Sequence, residues 1–143
     1  MPAIYRVLIA SLGWALVVPV YSAQWEAFGG TDTARVFIDK ESIKRSGSVV
    51  KVWLKWVNDT PRPVFGSVDG ALSTLELTLN AYNCVSRESA ILQVIKYGGK
   101  GDGEVLMQAS ARDDPSRYEA VVPESLAEKV LSQVCVKSIH PKR

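Results

Sequence analysis

The chain has 143 residues, of which 47% are hydrophobic and 22% are charged, with a formal net charge of +2. This length suits a single domain, and the apolar fraction is enough for one sizeable core. A charge this small excludes the broad basic surface that holds nucleic acid through its phosphates, so nucleic acid is not an expected partner.

The first 22 residues have the layout of a secretory signal peptide. A short positively charged start precedes an apolar run of about a dozen residues, Val7–Val18, which is too short to span a bilayer. Small residues follow at Ser22 and Ala23, and they provide a cleavage site. A buried N-terminal helix is the alternative, but the order of charge, apolar run and small residues favours a signal peptide.

Cleavage after Ser22 is favoured because it leaves Val20 three residues before the cut, and cleavage after Ala23 is the second choice. The sequence therefore predicts a signal peptide at 1–22 and a mature domain at 23–143. We expect an exported protein, periplasmic or secreted to the cell surface, with no transmembrane span after cleavage.

Apolar and polar residues alternate with period two along much of the mature sequence, which is typical of strands with two different faces. Prolines at Pro61 and Pro63 predict that 58–68 is a loop. Glycines at 98–103 predict a hairpin connection. The predicted strands are Ala34–Asp39, Val49–Val57, Ser73 to about Asn83, Ala90–Tyr97 and Glu104–Arg112.

The third predicted strand carries apolar residues on both faces at its end. Leu79 and Ala81 share one face, whereas Tyr82 and Cys84 have the opposite parity. Either a β-bulge lies near 80–83, or a second element covers the other face there. The second interpretation is preferred because Cys84 must reach Cys135.

The last element changes to a helical period. Apolar residues recur with the spacing of an amphipathic helix over Leu126–Val136, and Ser125 with Glu128 forms a capping box at its start. The sequence thus predicts an α+β fold, with an antiparallel sheet of about six strands and a C-terminal helix packed on one face.

Cys84 and Cys135 are the two cysteines of the chain, and they lie 51 positions apart. An exported protein meets an oxidising environment, so we predict that they form a disulfide. A redox-active pair is the alternative, but such pairs usually have the C-x-x-C spacing. The bond is therefore interpreted as structural, tethering the helix to the sheet.

Residues suited to catalysis are scarce. The one histidine, His140, lies in the basic tail, which argues against metal sites built from several imidazoles. The carboxylates Asp113 and Asp114, and Glu41 near Asp39, are interpreted as solvated turn residues. We predict no catalytic residue, no metal and no cofactor, hence no enzyme.

Trp53 is the most interesting aromatic residue, because it shares a strand face with Lys51 and Lys55. Aromatic anchors surrounded by charge are typical of binding patches, so these residues form a candidate binding face. The alternative, preferred on the pattern alone, is that the C-terminal helix covers Trp53.

Several separated motifs resemble the bacterial surface-adhesin protein E family. They are Trp25, the segment Phe37-Ile38-Asp39-x-x-Ser42-Ile43-Lys44-Arg45-Ser46-Gly47, Val52-Trp53-Leu54, Cys84 with Arg87, Tyr97, Pro123-x-Ser125 and Cys135. The resemblance implies six antiparallel strands and a helix tethered by a disulfide, with Cys84 and Cys135 in the tether positions. It also implies binding of host matrix and serum proteins. This chain has no cysteine at the cleavage site, so no lipid anchor is expected.

We therefore expect an exported, non-enzymatic protein-binding domain whose partner is a host matrix protein or a protein of the bacterial envelope. The alternative is a periplasmic small-molecule carrier or sensor. That alternative requires a cavity between helix and sheet, lined by Leu126 and Val130.

Overall fold

The computed structural model describes residues 23–67, 70–98 and 103–136, so the predicted signal peptide and His140 lie outside the described residues. The described part forms one antiparallel sheet with a C-terminal helix. The strands are β1 (Trp25–Thr31), β2 (Ala34–Asp39), β3 (Lys44–Ser46), β4 (Val49–Pro63), β5 (Leu72–Asn83), β6 (Glu88–Gly98), β7 (Val105–Ser110) and β8 (Glu119–Ala120). The helix is α1 (Leu126–Val134), and 3-10 turns lie at Lys40–Ser42 and Pro115–Arg117.

Six strands lie side by side in the order β1-β2-β4-β5-β6-β7, while β3 pairs with β4 and β8 pairs with β6. Each of these pairs is antiparallel. The predicted fold class is therefore confirmed. Short turns join most neighbouring strands, which is the connection that antiparallel pairing allows.

The predicted loop at 58–68 is wrong over its first part, because β4 continues to Pro63. Strand β2 pairs with β4 only as far as Asn58, so the outer edge of β4 is free of β2 beyond that point. A proline on such an edge removes no ladder hydrogen bond to that side. Pairing of β4 with β5 is interrupted after Val57 and resumes at Arg62 with a shifted register.

One face of the sheet packs against the helix. Val130 and Leu131 are 0% and 2% exposed, so this seam is solidly packed. That packing leaves no room at Val130 for the ligand cavity that a carrier would need. The main core cluster consists of Val36, Ile38, Val50, Val52, Leu54, Tyr82, Val130, Leu131 and Val134.

The end of β5 is covered on both faces. Tyr82 packs in the core under the helix, whereas Ala81 packs on the other side with Ala90 and Leu92. The prediction that a second element covers the Tyr82 face is confirmed. A register shift against β6 is also present, between Leu79 and Asn80.

The helix is fastened at both ends. The hydroxyl of Ser125 accepts a hydrogen bond from the Glu128 amide at 3.2 Å, as the capping box predicts. The Glu128 carboxylate accepts from the Glu124 amide at 2.6 Å and pairs with Arg87 at 2.7 Å. At the other end, the guanidinium of Arg45 donates to the Val134 carbonyl oxygen at 3.1 Å, where a cation suits the helix dipole.

The predicted disulfide between Cys84 and Cys135 is confirmed, with their Cα atoms 5.5 Å apart. Cys84 directly follows β5, and Cys135 is the C-terminal cap of α1. The bond therefore joins the sheet to the helix end, as predicted for a tether.

Candidate functional site

The sheet face opposite α1, here called the open face, carries most of the half-buried aromatic and aliphatic side chains. Register pairs Trp53 with Leu79, and Lys55 with Leu77 and Phe37, so these side chains project to one side. The preferred interpretation that the helix covers Trp53 is wrong, because α1 packs on the even-numbered side chains of β4. The open face includes Trp25, Phe37, Trp53, Leu75, Leu77, Leu79, Ile95 and Tyr97.

The ammonium of Lys55 lies between two aromatic rings. Its Nζ is 4.9 Å from the centre of the Trp25 ring and 4.7 Å from that of Phe37. A cation over an aromatic face is attracted by the ring quadrupole, and more strongly where water is excluded. Lys55 thus presents its ammonium group between two aromatic rings on the open face.

Lys51 is held by a carboxylate from a distant loop. Its Nζ is 2.7 Å from Asp113 Oδ2, and the Tyr118 hydroxyl donates to the other oxygen of Asp113 at 2.7 Å. The hydrogen bonds from Lys51 and Tyr118 hold the pKa of Asp113 below its usual value. Burial, with Asp113 as a second cause, raises the pKa of Tyr118.

Two of the candidate carboxylates, those of Asp39 and Asp114, have structural roles. Asp114 is exposed, and its carboxylate accepts from the Ser116 amide at 2.9 Å, which lowers its pKa. The predicted solvated setting of Asp39 is wrong, because this residue is only 7% exposed. Its Oδ1 accepts from the amides of Gln24 and Glu41 at 3.3 and 3.2 Å. This carboxylate holds the start of β1 against the turn after β2.

A cavity of about 620 Å³ lies beside Trp53 on the open face. Its wall is ordered by Ser42, whose hydroxyl accepts from the Trp53 amide at 2.9 Å and donates to the Asp39 carbonyl at 2.6 Å. The cavity is lined by Ala23, Asp39, Glu41, Ser42, Lys44, Lys51, Trp53 and Leu79. Its wall mixes both signs of charge with one large aromatic surface.

The structure places Trp53, Lys51 and Lys55 on one face, in the combination that the sequence pattern indicated. Sequence reasoning missed Trp25 and Phe37 around Lys55, and Asp113 and Tyr118 around Lys51. The alternation of β2 could have placed Phe37 on this side, but pairing with Lys55 depends on register between strands.

Neither a metal-binding cluster nor a membrane-spanning helix occurs in residues 23–67, 70–98 and 103–136. There, His, Cys, Asp and Glu side chains form no group of three or more that could hold a metal ion. No helix in that part of the chain is long and apolar enough to cross a membrane.

Comparison with known proteins gives one family. The profile described as "Surface-adhesin protein E" matches residues 25–136. Among curated proteins, no sequence matches this chain significantly.

Solved structures give the same fold. One crystal structure of protein E from non-typeable Haemophilus influenzae is 15% identical with a TM-score of 0.54, covering 85% of this chain and 80% of that one. Crystal form II of Haemophilus influenzae protein E is 14% identical with a TM-score of 0.55, covering 87% and 96%. Another structure of that protein is 12% identical with a TM-score of 0.54, covering 83% and 90%.

Proposed function

The chain belongs to the surface-adhesin protein E family, and from this premise we propose that it is an exported, non-enzymatic domain that binds other proteins through its open face. The observation that carries the proposal is the group of aromatic side chains around Lys55 on the side of the sheet away from α1. Family membership supports a surface adhesin, and the partner is a host matrix protein or a protein of the bacterial envelope.

The chemistry of the open face supports this assignment. Contiguous apolar surface with aromatic side chains is typical of protein interaction sites, and tryptophan is enriched among residues that dominate binding energy. Trp53 is half-buried and borders a cavity into which a partner side chain can insert. Lys51 and Lys55 lie on either side of Trp53 in β4, where charge can orient the partner.

Binding is tested with a panel of purified matrix and serum proteins and with envelope extract of the native host. Trp53→Ala is expected to weaken binding to the retained partner at least tenfold, since central aromatic residues contribute about 2 kcal/mol or more. Lys55→Met keeps the aliphatic part of the side chain and is expected to reduce the association rate and its salt dependence. Surface plasmon resonance measures both variants.

Phe65→Ala is the comparison variant, because Phe65 is an exposed aromatic residue in the loop after β4. It is expected to bind as tightly as the unaltered protein. If Phe65→Ala loses binding while Trp53→Ala keeps it, the loop and not the open face is the binding surface. If neither set of proteins gives saturable binding at micromolar concentrations, the protein-binding function itself is wrong.

Export with cleavage after Ser22 is part of the same proposal. The disulfide supports it, because such bonds persist in oxidising compartments. A chain that begins at Ala23 retains the Gln24 amide, which donates to Asp39 and so completes β1. Intact-mass spectrometry of protein recovered from the periplasm or culture medium is expected to show residues 23–143. A mass that includes residues 1–22 would contradict the proposed domain boundary.

A further inference from the structure

We propose that the chain has a second binding site, here called the polar cleft, which takes a sugar carboxylate of the hexuronate class. The polar cleft is a cavity of about 490 Å³ lined by sheet residues and by the turn between β1 and β2, among them Trp56, Glu76, Lys96, Arg62, Asn58 and Thr33. It lies on the same side of the sheet as α1, beside the core and away from the open face. The proposal therefore stands independently of protein binding by the open face.

The floor of the polar cleft is a row of three neighbouring side chains. Register pairs Trp56 of β4 with Glu76 of β5, and Glu76 with Lys96 of β6. Adjacent strands are about 4.8 Å apart, so the row is roughly 10 Å long. The volume is in the range of ordinary small-ligand sites, roughly 300–1,000 Å³.

The indole of Trp56 can present a ring face to a ligand, but it has no free N–H group to donate. Its Nε1 donates to the Thr78 hydroxyl at 3.1 Å, and that oxygen also accepts from Asn80 at 2.8 Å. This bond fixes the orientation of the indole. What remains for a ligand is an apolar aromatic surface, which suits the C–H face of a sugar ring.

The charges of the polar cleft favour an anion. The Nζ of Lys96 is 3.2 Å from Glu76 Oε2, and these side chains are only 24% and 27% exposed. Arg62 adds a second cation, and its guanidinium donates to the Thr33 hydroxyl. With two cationic side chains, Lys96 and Arg62, and one carboxylate, Glu76, the polar cleft has a formal net charge of +1.

The donor set distinguishes a sugar acid from simpler anions. A guanidinium binds a carboxylate through two parallel hydrogen bonds, and Arg62 has N–H groups beyond the one directed at Thr33. The oxygens of Glu76 and Asn58 can accept hydrogen bonds from ligand hydroxyl groups. A matching ligand therefore needs one carboxylate, several hydroxyl groups and one apolar ring face within about 10 Å. A hexuronate has all three.

The experiment is an NMR titration of the full mature chain, followed at the indole N–H signal of Trp56 with D-glucuronate as the probe. Glucuronate is expected to move this signal saturably. Glucose, which lacks the carboxylate, is expected to bind about tenfold more weakly, and acetate, which lacks the ring, is expected to leave the signal in place. The signal is assigned by its loss in Trp56→Phe, because the mature chain has two further indole N–H groups, at Trp25 and Trp53.

Arg62→Gln is expected to weaken glucuronate binding about tenfold, because it removes the charged partner of the carboxylate. Lys129→Gln removes an exposed cation of α1 that does not line the polar cleft, and it is the matched control, expected to leave the affinity unchanged. A glucuronate-containing disaccharide that binds more tightly than free glucuronate would assign the ligand to a polysaccharide, and weaker binding would assign it to the free sugar.

Three results would each overturn the proposal. They are an unmoved Trp56 signal at saturating glucuronate, equal affinities for glucose and glucuronate, and an Arg62→Gln variant that binds glucuronate as tightly as the unaltered chain. Because Arg62 is exposed, its replacement is not expected to unfold the domain.

Discussion

Replacing Cys84 and Cys135 together with serine is expected to lower the free energy of unfolding by about 4 kcal/mol. The disulfide closes a loop of 51 residues, and on the chain-entropy model a loop of that size removes roughly 4 kcal/mol of freedom from the unfolded chain. Small domains have a total stability of about 5–15 kcal/mol, so this is a large share. Urea unfolding of both proteins, followed by far-UV circular dichroism, measures the difference.

The control for this prediction is reduction of the unaltered protein. Dithiothreitol is expected to bring its unfolding midpoint close to that of the serine variant, and to leave the serine variant itself unchanged. An unaltered protein whose midpoint is the same with and without dithiothreitol would show that the bond contributes nothing to stability. Free thiols in correctly exported protein would contradict the tether itself.

The parts of the fold that could be predicted are those that depend on local pattern. Period-two alternation located most of the β4 and β6 strands, and the Ser125–Glu128 capping box located the start of α1 to the residue. The disulfide followed from two cysteines and an export signal. In each case the information needed for the prediction lies in one short segment, or in the number of residues of one type.

The parts that could not be predicted depend on which strands are neighbours. Strand β1, with its glycines at Gly29 and Gly30, has no clear alternation, and it forms because β2 offers an edge for pairing. The continuation of β4 to Pro63 depends on the end of β2 at its edge. The local sequence of either segment contains no sign of these partners.

The candidate site shows the same division. Alternation along β4 was enough to group Trp53 with Lys51 and Lys55. It could not decide which sheet face the helix occupies, since an amphipathic helix can pack on either apolar face. In the structure, Tyr82 of β5 and Val134 of α1 belong to the same core cluster, so the helix packs on the face of the sheet that carries Tyr82. The partners Asp113 and Tyr118 reach Lys51 from a segment some 60 positions away in the sequence.

Leu131→Ala is expected to cost about 2–5 kcal/mol of unfolding free energy, as is usual for a large side chain removed from a packed core. Leu131 is 2% exposed at the seam between α1 and the sheet. Leucine and alanine are both good helix formers, so the loss reports packing and not helix propensity. The measurement is urea unfolding of the oxidised protein, in which Cys135 still holds the helix end one turn away.

Lys129→Ala is the matched control, because Lys129 is an exposed residue of the same helix. Its effect is expected to lie within about 0.5 kcal/mol of zero. If Leu131→Ala costs no more than Lys129→Ala, the helix does not share the core with the sheet. The disulfide would then tether a helix that packing does not hold. A large loss in the oxidised protein would instead show that packing and the covalent bond stabilise the same seam, since the bond alone cannot replace the buried side chain.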